Sequence, residues 1–129
     1  MKGLKAIVLD VDGVLTDGSV WWGPNGEEWK RFSFADIMGV SLAMKAGITV
    51  ALVSGEDSPL VDRFAAKMGI IDVEKNCKHK AQALRLIAQR RGLQSRLNRR
   101  WFGFKHAELY DERRDGGQHL HSDHHGNER

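Results

Sequence analysis

Apolar positions along the first ninety residues fall into short blocks that switch between strand-like and helix-like spacing. Leu4 to Leu9 is an almost unbroken apolar run closed by Asp10, the pattern of a strand covered on both faces over residues 4 to 10. Residues 19 to 34 hold two β-prone runs on either side of Pro24-Asn25-Gly26, which predicts a hairpin rich in tryptophan. A helix follows through Val40, Leu42 and Met44 to a stop at Gly47, with Asp36 as a candidate cap. Ile48 to Val53 reads as a second apolar strand. Ser58-Pro59 then supplies a cap and a first-turn proline for a helix carrying Val61, Phe64, Ala65 and Met68 before Gly69. Ile70 to Val73 offers a short third strand. Lys80 to Arg91 spaces Leu84, Ile87 and Ala88 on one helical face, with Gly92 as its stop. A fourth strand has only Trp101 to Phe104 as apolar material.

Strands alternating with helices predict an α/β fold: a Rossmann-like parallel sheet with right-handed crossovers, flanking helices and a hairpin flap after the first strand. Residues 1–93 form the expected core. Residues 94–129 are poor in aliphatics and carry five of the six histidines, so they read as a divergent, flexible, His-rich tail that adds little core. His119, His121, His124 and His125 could hold a transition metal, but nothing around them fixes a geometry and a solvated, low-complexity tail is the better account.

The length of 129 residues suits one domain, and 41% hydrophobic with 29% charged residues is ordinary for a soluble globular protein. The net charge of +3 is spread among acidic neighbours, with no basic-aromatic array, so no nucleic-acid partner is expected. Cys77 is the single cysteine, which excludes an intramolecular disulfide and a thiolate metal cluster. The first residues lead into a strand without a secretory segment, and no eighteen-residue apolar span follows, so a cytoplasmic protein with no membrane partner is expected.

Asp10 and Asp12 flank the end of the first strand, and Gly13 turns the chain immediately afterwards. An aspartate can attack phosphorus, while a second carboxyl can protonate a leaving alcohol and then activate water. Asp-Gly pairs are also ordinary turn residues. Ser54 and Gly55 end the second strand, and in a parallel sheet the ligand crevice lies outside such ends. The Ser54 hydroxyl and the Gly55 amide can donate to phosphate, or form a plain turn. Lys80 can neutralise a phosphoryl group, or be solvated like its neighbours Lys75 and Lys78.

The stretch Asp10-Val11-Asp12-Gly13-Val14-Leu15-Thr16-Asp17-Gly18 resembles the first motif of the haloacid dehalogenase superfamily. It takes the form found in the capless 3-deoxy-manno-octulosonate 8-phosphate phosphatases and their relatives acting on nine-carbon sialic-type acids. The resemblance continues through residues 26 to 32, Asp36 to Val40, Lys45 to Ile48, Val53 to Glu56 and Lys80. It spans about residues 3–93. It implies a fold without a cap domain and a Mg²⁺-dependent phosphatase for a small phosphorylated sugar acid. Asp10 would be nucleophile and Asp12 acid and base, while Ser54, Gly55 and Lys80 would bind phosphate. Asp10 and the Asp12 carbonyl would be metal ligands, and Asp36 would lie near substrate. A homotetramer packed through the 19–34 hairpin is also implied. The family's later acidic motif, which supplies a further metal ligand, has no counterpart in Ser95 to His106. Ala35 and Ile37 stand where many relatives carry Arg and Gly. The same resemblance fits a catalytically impaired fragment kept as an oligomerisation module, or a phosphatase-like domain of a nonulosonate cytidylyltransferase system.

Overall fold

The computed structural model describes residues 3–96 and 106–111. Its elements in chain order are β1 (Leu4–Asp10), β2 (Trp21–Trp22), β3 (Glu28–Trp29), α1 (Phe34–Lys45), β4 (Thr49–Val53), α2 (Pro59–Met68), β5 (Asp72–Glu74), α3 (Lys80–Arg91), β6 (Gln94–Arg96) and β7 (His106–Tyr110). The main sheet runs β5-β4-β1-β7-β6, and β2 and β3 form the expected hairpin as a separate two-stranded sheet.

Strands β1, β4 and β5 are parallel, with Asp10 opposite Val53 at the carboxyl end. Helices cover both faces. Ala6, Val8, Ala51 and Val53 pack against Ala83, Leu84, Ile87 and Ala88 of α3. The opposite face, through Val50 and Leu52, meets Val40 of α1 and Val61, Phe64 and Ala65 of α2, where Phe64 stacks on Phe32 at 4.7 Å between ring centroids. Removing these apolar faces from water is the main favourable contribution to the fold.

On the other side of β1 the parallel sheet gains antiparallel strands. Strand β7 runs antiparallel to β1, from Leu4 opposite Tyr110 to Leu9 opposite His106, and β6 pairs antiparallel with β7. Nine residues separate β6 from β7, too few for the crossover that parallel neighbours need. The core therefore does not end at residue 93. Ala107 and Leu109 are buried against Ala6, Val8 and Ile87, and the pairing covers an edge of β1 that would otherwise be open. The sequence understates this segment because its two inward residues sit among charged ones. The expected strand at Trp101 to Phe104 and the histidines at 119, 121, 124 and 125 lie outside the described residues.

Two local expectations also change. Ser33, not Asp36, occupies the cap of α1, its carbonyl accepting from the Ile37 amide at 3.0 Å. Asp36 falls in the first turn, where a carboxylate favours the positive end of the helix. The third strand begins at Asp72 because Gly69 and Ile70 are used in ending α2: Gly69 is left-handed, and the Ile70 amide donates to the Ala65 carbonyl at 2.9 Å.

Candidate active site

The loop after β1 is held from within. The Val11 carbonyl accepts from the amides of Leu15 at 2.9 Å and Thr16 at 3.2 Å, closing a tight turn. Gly13 has φ +75°, a conformation open to glycine at little cost. The buried Thr16 hydroxyl accepts from the amides of Gly13 and Gly18, both at 3.2 Å. Thr16 thus fixes the loop carrying both aspartates, a role that its place inside the first motif did not by itself reveal.

Asp10 is buried at the end of β1. Its Oδ1 accepts from the Val11 amide at 2.8 Å, and its Oδ2 accepts from Lys80 Nζ at 2.6 Å. Lys80 opens α3, so the pair joins the first strand to the third helix. The parallel register places Ser54 one position beyond Val53, the partner of Asp10. Ser54 is fully buried, its hydroxyl accepting from the Glu56 amide at 3.3 Å and its carbonyl accepting from the Cys77 amide at 3.0 Å. A Cβ placed on Gly55 would stand 4.0 Å from Lys80 Cε. Asp10, Ser54, Gly55 and Lys80 are therefore brought together at one edge of the sheet.

Asp12 joins them through a different lysine. Lys30, just after β3, donates to Asp12 Oδ1 at 2.8 Å and to Glu56 Oε2 at 3.1 Å, with Glu28 Oε1 at 3.8 Å. Burial lowers the proton affinity of Lys30, but its hydrogen bonds and charge interactions with Asp12 and Glu56 outweigh this and raise its pKa above 10.5. Glu28 also accepts from the Ser58 hydroxyl at 3.1 Å, tying the hairpin to the start of α2. A cleft of about 290 Å³ opens between them, lined by Glu28, Glu56, Asp57 and Ser58. Lys30 and Glu56 were visible in sequence only as parts of quoted motifs, because nothing local brings residues 12, 30 and 56 together.

Asp36 is half-buried on α1, and no hydrogen bond or ion pair ties it to this cluster among the described residues. Cys77 lies beside the Ser54 loop, where burial and the charge of Glu74 push its thiol above 9.0 against the opposing charge of Lys80. It is a poor candidate for a reactive thiolate.

For a hard cation the site offers two oxygen donors, the Asp10 carboxylate and the Asp12 carbonyl, which accepts no hydrogen bond among the described residues. Magnesium commonly binds through one or two carboxylates while keeping several waters, so these donors fit a partial coordination shell. No group of three or more His, Cys, Asp or Glu side chains placed to hold a metal occurs among the described residues. Asp111, one of the aspartates downstream of residue 93, is carried by the antiparallel β7 to the far end of β1. There its amide donates to the Gly3 carbonyl, about 20 Å from Asp10 for a strand of this length. Asp115 lies outside the described residues. No described helix is long and apolar enough to cross a membrane.

No family model matches the chain. A 3-deoxy-D-manno-octulosonate 8-phosphate phosphatase from Haemophilus influenzae is 44% identical over 70 residues, covering 54% of this chain and 39% of the relative. A solved structure of the phosphatase of that name from Moraxella catarrhalis, in complex with magnesium ion, phosphate ion and KDO, matches with a TM-score of 0.68 and 32% identity, over 70% of this chain and 52% of that one. The cobalt-bound form of the Haemophilus influenzae phosphatase matches with a TM-score of 0.66 and 38% identity, over 70% and 53% of the two chains. The chain spans less than half the length of the curated relatives it matches.

Proposed function

We propose, from the premise that over the matched segment this chain is a 3-deoxy-D-manno-octulosonate 8-phosphate phosphatase-like member of the haloacid dehalogenase superfamily, that it hydrolyses a phosphorylated sugar acid. The eight-carbon 8-phosphate or a nine-carbon nonulosonate 9-phosphate is the substrate. The observation that carries this reading is the meeting of Asp10 with Lys80 at 2.6 Å beside the Ser54-Gly55 turn, at the carboxyl ends of two parallel strands.

An Asp10 carboxylate oxygen attacks phosphorus, and the P–O bond to the sugar breaks as Asp12 gives its proton to the leaving alcohol. The aspartyl phosphate is then attacked by water whose proton passes to Asp12, and phosphate leaves as the Asp10 carboxylate is restored. Lys80 holds positive charge against the phosphoryl oxygens throughout. The Ser54 hydroxyl and Gly55 amide are the neutral donors. Ser54 is fully buried, so its hydroxyl reaches a phosphoryl oxygen once the side chains over it make room. A divalent cation such as Mg²⁺ would be held by the Asp10 carboxylate and the Asp12 carbonyl, and would supply further charge neutralisation at phosphorus.

Phosphate release from 3-deoxy-D-manno-octulosonate 8-phosphate, measured with and without Mg²⁺ and with Asp10→Asn as control, tests the reading. Metal-stimulated release lost in Asp10→Asn is expected. A folded chain inactive on this ester and on a panel of nonulosonate 9-phosphates would remove it. Asp36 is kept as a substrate-side residue by resemblance alone, and Asp36→Ala should raise KM more than it lowers kcat.

A second reading concerns assembly. Trp21, Trp22 and Trp29 on the hairpin are at least half exposed, and so are Phe34 and Leu42 on α1. Surfaces of this kind usually meet a partner. This supports a homo-oligomer, a tetramer by resemblance, formed through the hairpin. The same surface is what an inactive oligomerisation module would retain. Light scattering on wild type and Trp22→Lys tests it, with a smaller particle expected for the variant.

A further inference from the structure

Resting on the phosphatase reading, we propose that Lys30 is a positioning residue that sets the Asp12 carboxyl for proton transfer. The two aspartates are held differently. Asp10 is fixed on both carboxylate oxygens, by the Val11 amide and by Lys80. Asp12 lies in the turn beyond the strand, and among the described residues Lys30 is the one donor to its carboxylate. A carboxyl on a turn, with a single partner, takes its direction from that partner.

Lys30 is itself constrained far beyond what a surface hairpin needs. Its side chain has no exposed area, and its ammonium is shared among Asp12, Glu56 and Glu28. Glu28 is anchored in turn by the Ser58 hydroxyl at the cap of α2. Burying a lysine costs desolvation and side-chain entropy, so a lysine placed here has to be compensated by its partners. Two of them, Asp12 and Glu56, come from the loops that follow parallel strands β1 and β4. The hairpin thereby fixes one oxygen of Asp12 and leaves the other for the leaving alcohol and, afterwards, for water. Proton transfer is sensitive to such placement, since a displacement of about 1 Å can cost about 10²-fold in rate.

The test uses two substrates with the same 129-residue chain. The sugar-acid phosphate has an alkoxide leaving group that needs a proton, whereas para-nitrophenyl phosphate departs as a stable phenolate. Because kcat/KM reports events up to phosphoryl transfer, Lys30→Met should lower it about 10²-fold on the sugar ester and no more than about threefold on the phenyl ester. Combined with Asp12→Asn, it should bring no further loss on the sugar ester. Equal losses on the two esters, full activity on both, or multiplying losses in the double variant would overturn the proposal. If Lys30→Met does not fold, Lys30→Arg keeps the charge while moving its donors. A loss confined to the sugar ester again supports the proposal, and unchanged or equal activity on the two overturns it. A wild-type chain inactive on both esters would instead overturn the phosphatase reading itself, and this is seen before any variant is compared.

Discussion

Lys80 Nζ lies 2.6 Å from Asp10 Oδ2, joining the start of α3 to the end of β1 across 70 positions of sequence. The pair is mostly buried, the side chains being 28% and 10% exposed. It therefore falls between a solvated ion pair, worth little, and a sealed one, which is expensive to break. Lys80→Met should lower phosphate release about 10²- to 10³-fold by removing charge from the phosphoryl oxygens. It should also cost about 1–2 kcal/mol of stability. Because Asp10→Asn breaks the same contact, urea midpoints of the two single variants and the double should show a clear departure from additivity. Additive losses would mean that the two side chains do not depend on each other.

Ser58 serves two elements at once. Its hydroxyl accepts from the Leu60 amide at 3.3 Å, capping α2, and donates to Glu28 Oε1 at 3.1 Å, holding the hairpin. Ser58→Ala should cost about 1 kcal/mol from the cap. Glu28→Ala leaves the cap in place and should cost less. Thermal melts of the two variants compare these contributions, and equal losses would show that the hairpin link, not the cap, is what Ser58 mainly supplies.

Lys75 gives a pH dependence whose sign follows from its partners. Hydrogen bonds to Asp57 at 2.7 Å and Asp62 at 2.6 Å, reinforced by their charges, raise its pKa above 10.5. A pKa raised on folding stabilises the folded state below the unfolded value and ceases to do so as pH climbs through the folded value. Wild type should therefore exceed Lys75→Met in urea midpoint by a constant amount from neutral pH to about pH 10, with the gap closing above 10.5. A gap that varied between pH 6 and 9 would show that another group is responsible.

The parts of this chain legible in sequence are those written locally. Leu4 to Asp10, Ser58-Pro59 with its cap, and the helix from Lys80 to Gly92 all stand where spacing and terminal residues put them. Asp10, Ser54, Gly55 and Lys80 came together because strand ends in a parallel sheet share one edge. Lys30 and Glu56 did not stand out, since their meeting with Asp12 depends on how a hairpin lies over a loop. Strand β7 was missed for a related reason. Ala107 and Leu109 become sealed only when paired with β1, and with His106, Glu108 and Tyr110 alternating with them the segment reads as a polar tail.

Leu109 is where the difference between tail and strand becomes measurable. It is fully buried, packed with Ala6, Val8 and Ile87, and lies on the strand that covers the β1 edge. If residues beyond 93 were only a solvated extension, Leu109→Ala would be silent. Packed as it is, the change should cost about 2–5 kcal/mol, as buried leucines do when the space left behind cannot collapse. Leu109→Asp places a carboxylate against α3 with no ammonium to receive it, and should prevent cooperative folding. A chain ending at Leu93 loses Leu109 and Ala107 and opens the β1 edge along its length, so it should aggregate or melt without a sharp transition. If that shortened chain unfolded at the same midpoint as the full one, β6 and β7 would be ornaments on a core complete without them. The expected outcome is the opposite: the sheet that holds Asp10 depends on Leu109.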